Sequence, residues 1–221
     1  MNLILLANII ACAGALGGFI YGGIRFFRPK SAVYALMITL AAGVTVFGRL
    51  YQIIRLVTVG DIMERFHLGF LGTVGSLLFL FAANFGLMDT LCDDKSKELR
   101  KYRLIPLAAP ALVLVLYFAL FFFSDLTTLV KVAAGAAALV LMLASYYNLK
   151  HLIIPDVDFG VVRSLRQCNL LALIHEFLCV AEIFTLTRNY TIGTLVIGIL
   201  SSILMPLIII AVDWGVKKWT T

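Results

Sequence analysis

Charge is what this sequence lacks. Only 14% of its 221 residues are Asp, Glu, Lys or Arg, against about 25% in an ordinary water-soluble domain. Hydrophobic residues make up 62% of the chain, where about 45–50% is usual. A chain so poor in charge leaves most of its surface facing something other than water, and it is far too apolar to be disordered. The shortage also excludes a nucleic-acid-binding module: in so apolar a chain, the net charge of +6 reports topology first. Cysteine is sparse as well. Cys12, Cys92, Cys168 and Cys179 form no Cys-x-x-Cys pair, and a disulfide-stapled secreted scaffold is excluded with them. The histidines His67, His151 and His175 supply no His-x-x-x-His pair, and His-Glu-x-x-His and Gly-x-Ser-x-Gly are absent. No lysine lies inside the last apolar run to hold a retinal Schiff base, because Lys217 and Lys218 fall beyond its end. No cofactor and no catalytic activity are expected.

What the sequence has instead is apolar runs. A transmembrane helix needs about 20 mostly apolar residues, and the segments 2–24, 31–58, 68–92, 104–123, 126–150, 162–187 and 191–214 meet that length. The expected fold is all-α: a single polytopic domain over residues 1–221, a bundle of seven transmembrane helices in the lipid bilayer. Ala11, Cys12 and Ala13 in the first run imitate a processing site. No Lys or Arg precedes them, however, and the run continues to Ile24, so a retained helix is expected instead of a signal peptide.

Cytoplasmic loops carry an excess of Lys and Arg. Thirteen of the 18 basic residues fall on one side: Arg25, Arg28, Lys30, Lys95, Lys97, Arg100, Lys101, Arg103, Lys150, Arg163, Arg166, Lys217 and Lys218. Arg49, Arg55, Arg65, Lys131 and Arg188 belong to the other. The expected orientation is N-terminus out and C-terminus in, in the plasma membrane. The run 93–101 mixes both signs and reads as a solvated cytoplasmic loop, while Pro155, Asp156, Asp158 and Gly160 read as a turn. Asp61, Glu64, Arg65 and His67 read as a solvated outer connection that could rim a pocket.

Small residues supply the packing surfaces. Helices in lipid associate by close packing and polar contacts. Gly14, Gly18 and Gly22 form a seam on the first helix, suited to internal packing or to a homodimer. Gly69, Gly72 and Gly75 form a looser one on the third, and Ala133 to Ala138 around Gly135 make the fifth helix thin. Pro206 is a candidate kink in the seventh. Asn84, Ser201 and Ser202 read as interhelical or back-bonded hydrogen-bonding groups. Asp89 and Asp213 lie near the cytoplasmic interface, within reach of water or lysine. Tyr146, Tyr147, Trp214 and Trp219 fit an inner aromatic belt.

The informative residues are the few charges inside the runs, where charge is expensive. The second run carries Arg49 and Arg55 with Gln52, and the sixth carries His175, Glu176 and Glu182. Matching depths along the two helices predict an Arg49–Glu176 pair and an Arg55–Glu182 pair. Six residues correspond to about 240° of helix rotation, so Glu176 and Glu182 cannot project alike. Cys168, His175, Cys179 and Glu182 share one face and Asn169 with Glu176 an adjacent one, which implies two partners or a cavity.

Three readings of these charges stay open. One is an interhelical ion-pair lock. Another is a pocket between helices two and six, formed by Arg49, Gln52, Arg55, His175, Glu176 and Glu182, in which the arginines bind a small, possibly anionic, solute. The third is a metal site of Cys168, His175, Cys179 and Glu182, for which no ligand motif is present. The leading functional expectation is a small-solute carrier. The alternative is a non-transporting sensory or signalling module whose charges form the lock.

Overall fold

The computed structural model describes residues 2–29, 31–60, 62, 68–155 and 161–220. Its architecture is seven long helices: α1 (Leu3–Phe26), α2 (Val33–Thr58), α3 (Leu68–Asn84), α4 (Ala108–Phe123), α5 (Thr128–Ile153), α6 (Val161–Thr187) and α7 (Thr191–Thr220). A short helix, Leu87–Cys92, continues α3, and Arg100–Leu104 with the 3-10 turn Ile105–Leu107 leads into α4. Seven helical spans are long and apolar enough to cross a membrane, and each coincides with one of the apolar runs. Asp61, Glu64, Arg65 and His67 lie outside the described residues, as do Lys30, Asp156, Asp158 and Gly160.

Local chemistry explains where the helices start and stop. The Asn2 carboxamide accepts from the backbone N–H groups of Ile4 and Leu5 and so caps α1. Thr127 does the same for α5. The third run, read as one span, breaks after Asn84, because Gly86 has φ of +74°, a conformation that only glycine adopts without strain. Pro106 occupies the 3-10 turn ahead of α4 and Pro110 its first helical turn, positions where a missing N–H is tolerated. Pro206 lies inside an unbroken α7.

Six helices close a ring: α1 on α2, α2 on α3, α3 on α5, α5 on α6, α6 on α7, and α7 back on α1. Helix α4 stands outside it, packed chiefly against α5. The interior is filled by Ile38, Leu80, Leu165, Met205, Ile208 and Val212, while Phe47, Phe122 and Phe123 project outward. Outward apolar side chains are what a lipid-facing surface requires.

The glycine seams set the closest approaches. A side chain on Gly14 would strike the Ser202 backbone of α7, and one on Gly18 would come within 3.2 Å of the Pro206 Cα. Gly22 faces Thr39 of α2. The seam expected as a possible homodimer contact is thus filled inside the chain. Gly48 and Gly72 meet where α2 crosses α3, and Gly135 admits the Tyr117 ring of α4.

Because the helices alternate in direction, the bundle has two rims. One carries the start of α1 and is called the N-terminal rim. The other carries the end of α7 and is called the C-terminal rim.

Candidate functional site

The intramembrane charges form two buried networks, one toward each rim. The first is built on Arg49 of α2. Its guanidinium makes a two-pronged pair with the Glu182 carboxylate of α6: Nη1 bonds Oε1, and Nη2 bonds Oε2 at 2.6 Å. Nη1 also donates to Asn8 Oδ1 of α1 at 3.1 Å and to Gln52 Oε1 at 3.3 Å. The Asn8 carboxamide is oriented for this role by its own donation to the Ile4 carbonyl at 2.9 Å, which leaves its oxygen for the arginine. Arg49 and Glu182 are 7% and 9% exposed. A buried, fork-to-fork arginine–carboxylate contact is the strongest form of ion pair available to side chains.

The expected register is corrected here. Arg49 pairs with Glu182, in place of Glu176, and Glu182 is therefore not the partner of Arg55. Depth was matched by Cα position, but an arginine side chain reaches about one helical turn from its Cα. Arg49 extends toward the N-terminal rim, and the four-residue offset between it and Glu182 amounts to about 6 Å of rise. Arg55 is half-buried one and a half turns farther on. The backbones of α2 and α6 do not pack side by side; the arginine spans the gap between them.

The two polar faces of α6 do meet different partners. His175, Cys179 and Glu182 point toward Arg49, and a void of about 10 Å³ lies there between Thr45, Arg49, Gln52, Ser76, His175 and Cys179. That is about the room one water needs. Ser76 Oγ and His175 Nδ1 are buried beside it without hydrogen-bond partners. His175 Nε2 approaches Cys179 Sγ at 3.7 Å, whereas Cys168 lies apart, bonded by the Tyr34 hydroxyl at 3.4 Å. The residues considered as metal ligands therefore do not converge. Among the described residues no group of three His, Cys, Asp or Glu could hold a metal ion.

The second network runs from Glu176 toward the C-terminal rim. Asn148 of α5 donates to Glu176 Oε1 at 2.5 Å, and Asn84 of α3 donates to Asn148 Oδ1 at 2.7 Å. His151 Nδ1 stands 2.8 Å from Asn84 Oδ1, and its Nε2 3.3 Å from Asp89 Oδ1. Because the Asn84 amide is spent on Asn148, its oxygen must accept, and His151 Nδ1 carries the proton between them. Lys150 bonds both Asp89 (2.6 Å) and Asp93 (2.8 Å), and Arg103 bonds Asp93 at 2.7 Å. Asn84, Asn148, Lys150, His151 and Glu176 are all buried. A parallel contact joins α2 to α6: the Tyr34 hydroxyl donates to Asn169 Oδ1 at 3.3 Å.

At the rim itself Asp93 sits just beyond the α3 span. Burial works to raise its pKa, but hydrogen bonds from Lys150 and from the Lys95 amide, with the Lys150 and Arg103 charges, hold it below the ordinary carboxylate range. Asp94 is held low by the Ser96 amide. Asp213 of α7 meets Arg25 and Lys217, each at 2.6 Å, and the Tyr21 hydroxyl at 3.0 Å, which ties α1 to α7 at the same rim.

No family model, curated protein or solved structure matches this chain. Its chemistry has to be read from these contacts alone. The sequence pointed to Arg49, Gln52, His175, Glu176 and Glu182, and to Asn169 on the face of Glu176, but not to Asn8 or Asn148. By position Lys150 counts as a loop charge, and His151 has no assigned role. A signal was present: Asn148 and His151, four and seven residues beyond Ala144, share its side in the last two turns of the helix.

Proposed function

We propose that this chain is a non-transporting, non-enzymatic seven-helix module of the plasma membrane, its N-terminus outside and its C-terminus in the cytoplasm. In this reading the Arg49–Glu182 pair is a structural lock, and the cytoplasmic rim docks a signalling partner. The observation that carries the reading is the engagement of Arg49 by a buried carboxylate and two carboxamides. Acceptors from α1, α2 and α6 already engage its guanidinium, and the void beside it has room for about one water. A guanidinium whose charge is already balanced by a two-pronged carboxylate has little left to offer an anionic solute.

The test is an exchange of charges. Arg49→Ala or Glu182→Ala alone strands the other charge in the bundle, a loss of about 3–5 kcal/mol where such pairs have been broken. The double exchange, Arg49→Glu with Glu182→Arg, should recover most of the thermal stability of the purified protein. Failure of the exchange to recover any stability would sink the lock. Reconstituted into liposomes, the wild type should show no saturable uptake of small organic anions.

The carrier is the second reading, and one feature favours it. Gln52, Cys179 and Glu182 edge a further void of about 40 Å³ between α2, α3, α5 and α6, which movement of α6 would enlarge. In that reading Arg49 and Arg55 bind the anion, with Gln52 and His175 beside it, and Glu176 and Glu182 balance the charge. Saturable uptake abolished by Arg49→Ala, in a variant that still folds, would establish it.

A further inference from the structure

The lock does not involve Glu176, and the surroundings of that residue are unlike those of every other acidic side chain described. It is 1% exposed and forms no ion pair among the described residues. Its Oε1 accepts one hydrogen bond, from Asn148. Its Oε2 is buried with no hydrogen-bond partner among the described residues. An ionised carboxylate in such a place, held by one neutral amide, lacks several kcal/mol of compensation. The carboxyl must therefore hold a positive charge of its own: a proton on Oε2, or a small ion beside it.

The neighbouring helices offer no countercharge. Arg49 of α2 is held by Glu182, and Tyr34 of α2 is bonded to Asn169 and Cys168. On α5, Lys150 is committed to Asp89 and Asp93, and His151 faces Asn84 and Asp89. Asp213 of α7 is neutralised by Arg25 and Lys217. On α6 itself, His175 and Cys179 turn toward the arginine network, and Cys168 toward Tyr34. Among the described residues, the polar groups linked to Glu176 are neutral carboxamides, Asn148 in contact and Asn84 behind it.

We propose that Glu176 is a binding site for one monovalent cation, a proton or sodium, reached from the C-terminal rim. The charge fits one monovalent ion: a single carboxylate among carboxamides neutralises one positive charge, while calcium and magnesium seek several oxygen ligands and more negative charge. The route is the polar ladder itself. From the rim, Asp89, His151, Asn84 and Asn148 lead without interruption to the carboxylate, and the Asp89 side chain is 24% exposed at its mouth. His151 stands between Asp89 and Asn84 at that mouth. The Asn148 amide orients the carboxyl by donating to Oε1 and leaves Oε2 to the cation, without itself ionising. The site is independent of whether Arg49 is a lock or a solute ligand.

Infrared difference spectroscopy of the reconstituted full chain tests this. In sodium-free buffer, a neutral-carboxyl C=O band should appear or shift as the pH is stepped, and Glu176→Gln, which keeps the shape and the Asn148 contact, should abolish it. If that variant does not purify, carbon-13 glutamate in the wild type reads the same band. Dicyclohexylcarbodiimide then separates the two ions, since it adds to a neutral carboxyl and rearranges to an N-acylurea with no group lost. A sodium site predicts that labelling at Glu176 falls about tenfold once sodium is about ten times its dissociation constant. A proton site predicts labelling that grows toward acid pH and ignores sodium. If neither acid nor sodium produces a Glu176 carboxyl signal in the infrared, the proposal is overturned.

Discussion

At the scale of single residues, burial decides which charges matter. Arg25 and Lys217 reach the buried Asp213 from the surface, with 40% and 53% of their side chains exposed, so solvent screens what those pairs contribute. Asp93 differs in its partners, because Lys150 is as buried as Asp93 itself and Arg103 joins them. Its pKa in the folded protein lies below the unfolded value, so the stability it contributes is fully present above the unfolded pKa. That stability is lost as pH falls through the folded one. Thermal stability of the purified protein should therefore drop on the acid side of the ordinary carboxylate range, and Asp93→Asn should flatten the decline. An unchanged acid limb in Asp93→Asn would show that the Lys150–Asp93–Arg103 cluster is not coupled to folding. Residue chemistry also explains what the sequence concealed. Arg49 and Glu182 stand out because any charge within an apolar run does. Asn8 and Asn148 do not, since a lone asparagine scarcely dents an apolar run and only its neighbours in space reveal it as a ligand of Arg49 or Glu176.

At the scale of elements, helix existence and length follow from apolar run length, while pairing depends on shape. The seven runs and the helices agree to within a few residues at each end. The glycines were legible as a packing surface, but not their partners: Gly14 and Gly18 could have met any smooth helix face, and only the ring closure of α7 on α1 selects Ser202 and Pro206. The depth argument for the arginines failed for a related reason. It located Cα atoms, and the contact is made a turn away by the end of a long side chain. The crossing of α2 with α3 gives the sharpest test. A Cβ on Gly48 would stand 2.8 Å from the Gly72 Cα, and backbone cannot step aside as a side chain does. Gly48→Ala should destabilise by about 1–3 kcal/mol, the usual penalty of overpacking. Gly17, one residue from the seam, has no atom within 4 Å of its would-be side chain. Gly17→Ala should be neutral or stabilise by up to about 1 kcal/mol through helix propensity. Equal melting shifts for the two variants would contradict the packing described.

At the scale of the whole molecule, the distribution of charge divides into function and address. The two interior networks use Arg49, Glu182 and Glu176, together with the neutral amides that hold them. Among the described residues nearly all remaining charge lies at the rims, and by sequence thirteen of the 18 basic residues adjoin the span ends on one side. Acids neutralise part of that excess: Asp213 meets Arg25 and Lys217, and Asp89 and Asp93 meet Lys150 and Arg103. Orientation counts Lys and Arg near the span ends, with acids contributing little, so the paired basic residues still weigh toward the cytoplasm. The C-terminal rim should then face inward. A single cysteine placed at Ser96 or at Asn189, in a background with Cys12, Cys92, Cys168 and Cys179 replaced by alanine or serine, reads this directly. Asn189, in the tight α6–α7 turn at the N-terminal rim, should react with a membrane-impermeant maleimide on intact cells. Ser96, between the α3 extension and α4, should react only after the membrane is opened. The reverse pattern would place the Glu176 ladder and its Asp89 mouth on the outer face, and the monovalent cation would then enter from outside the cell.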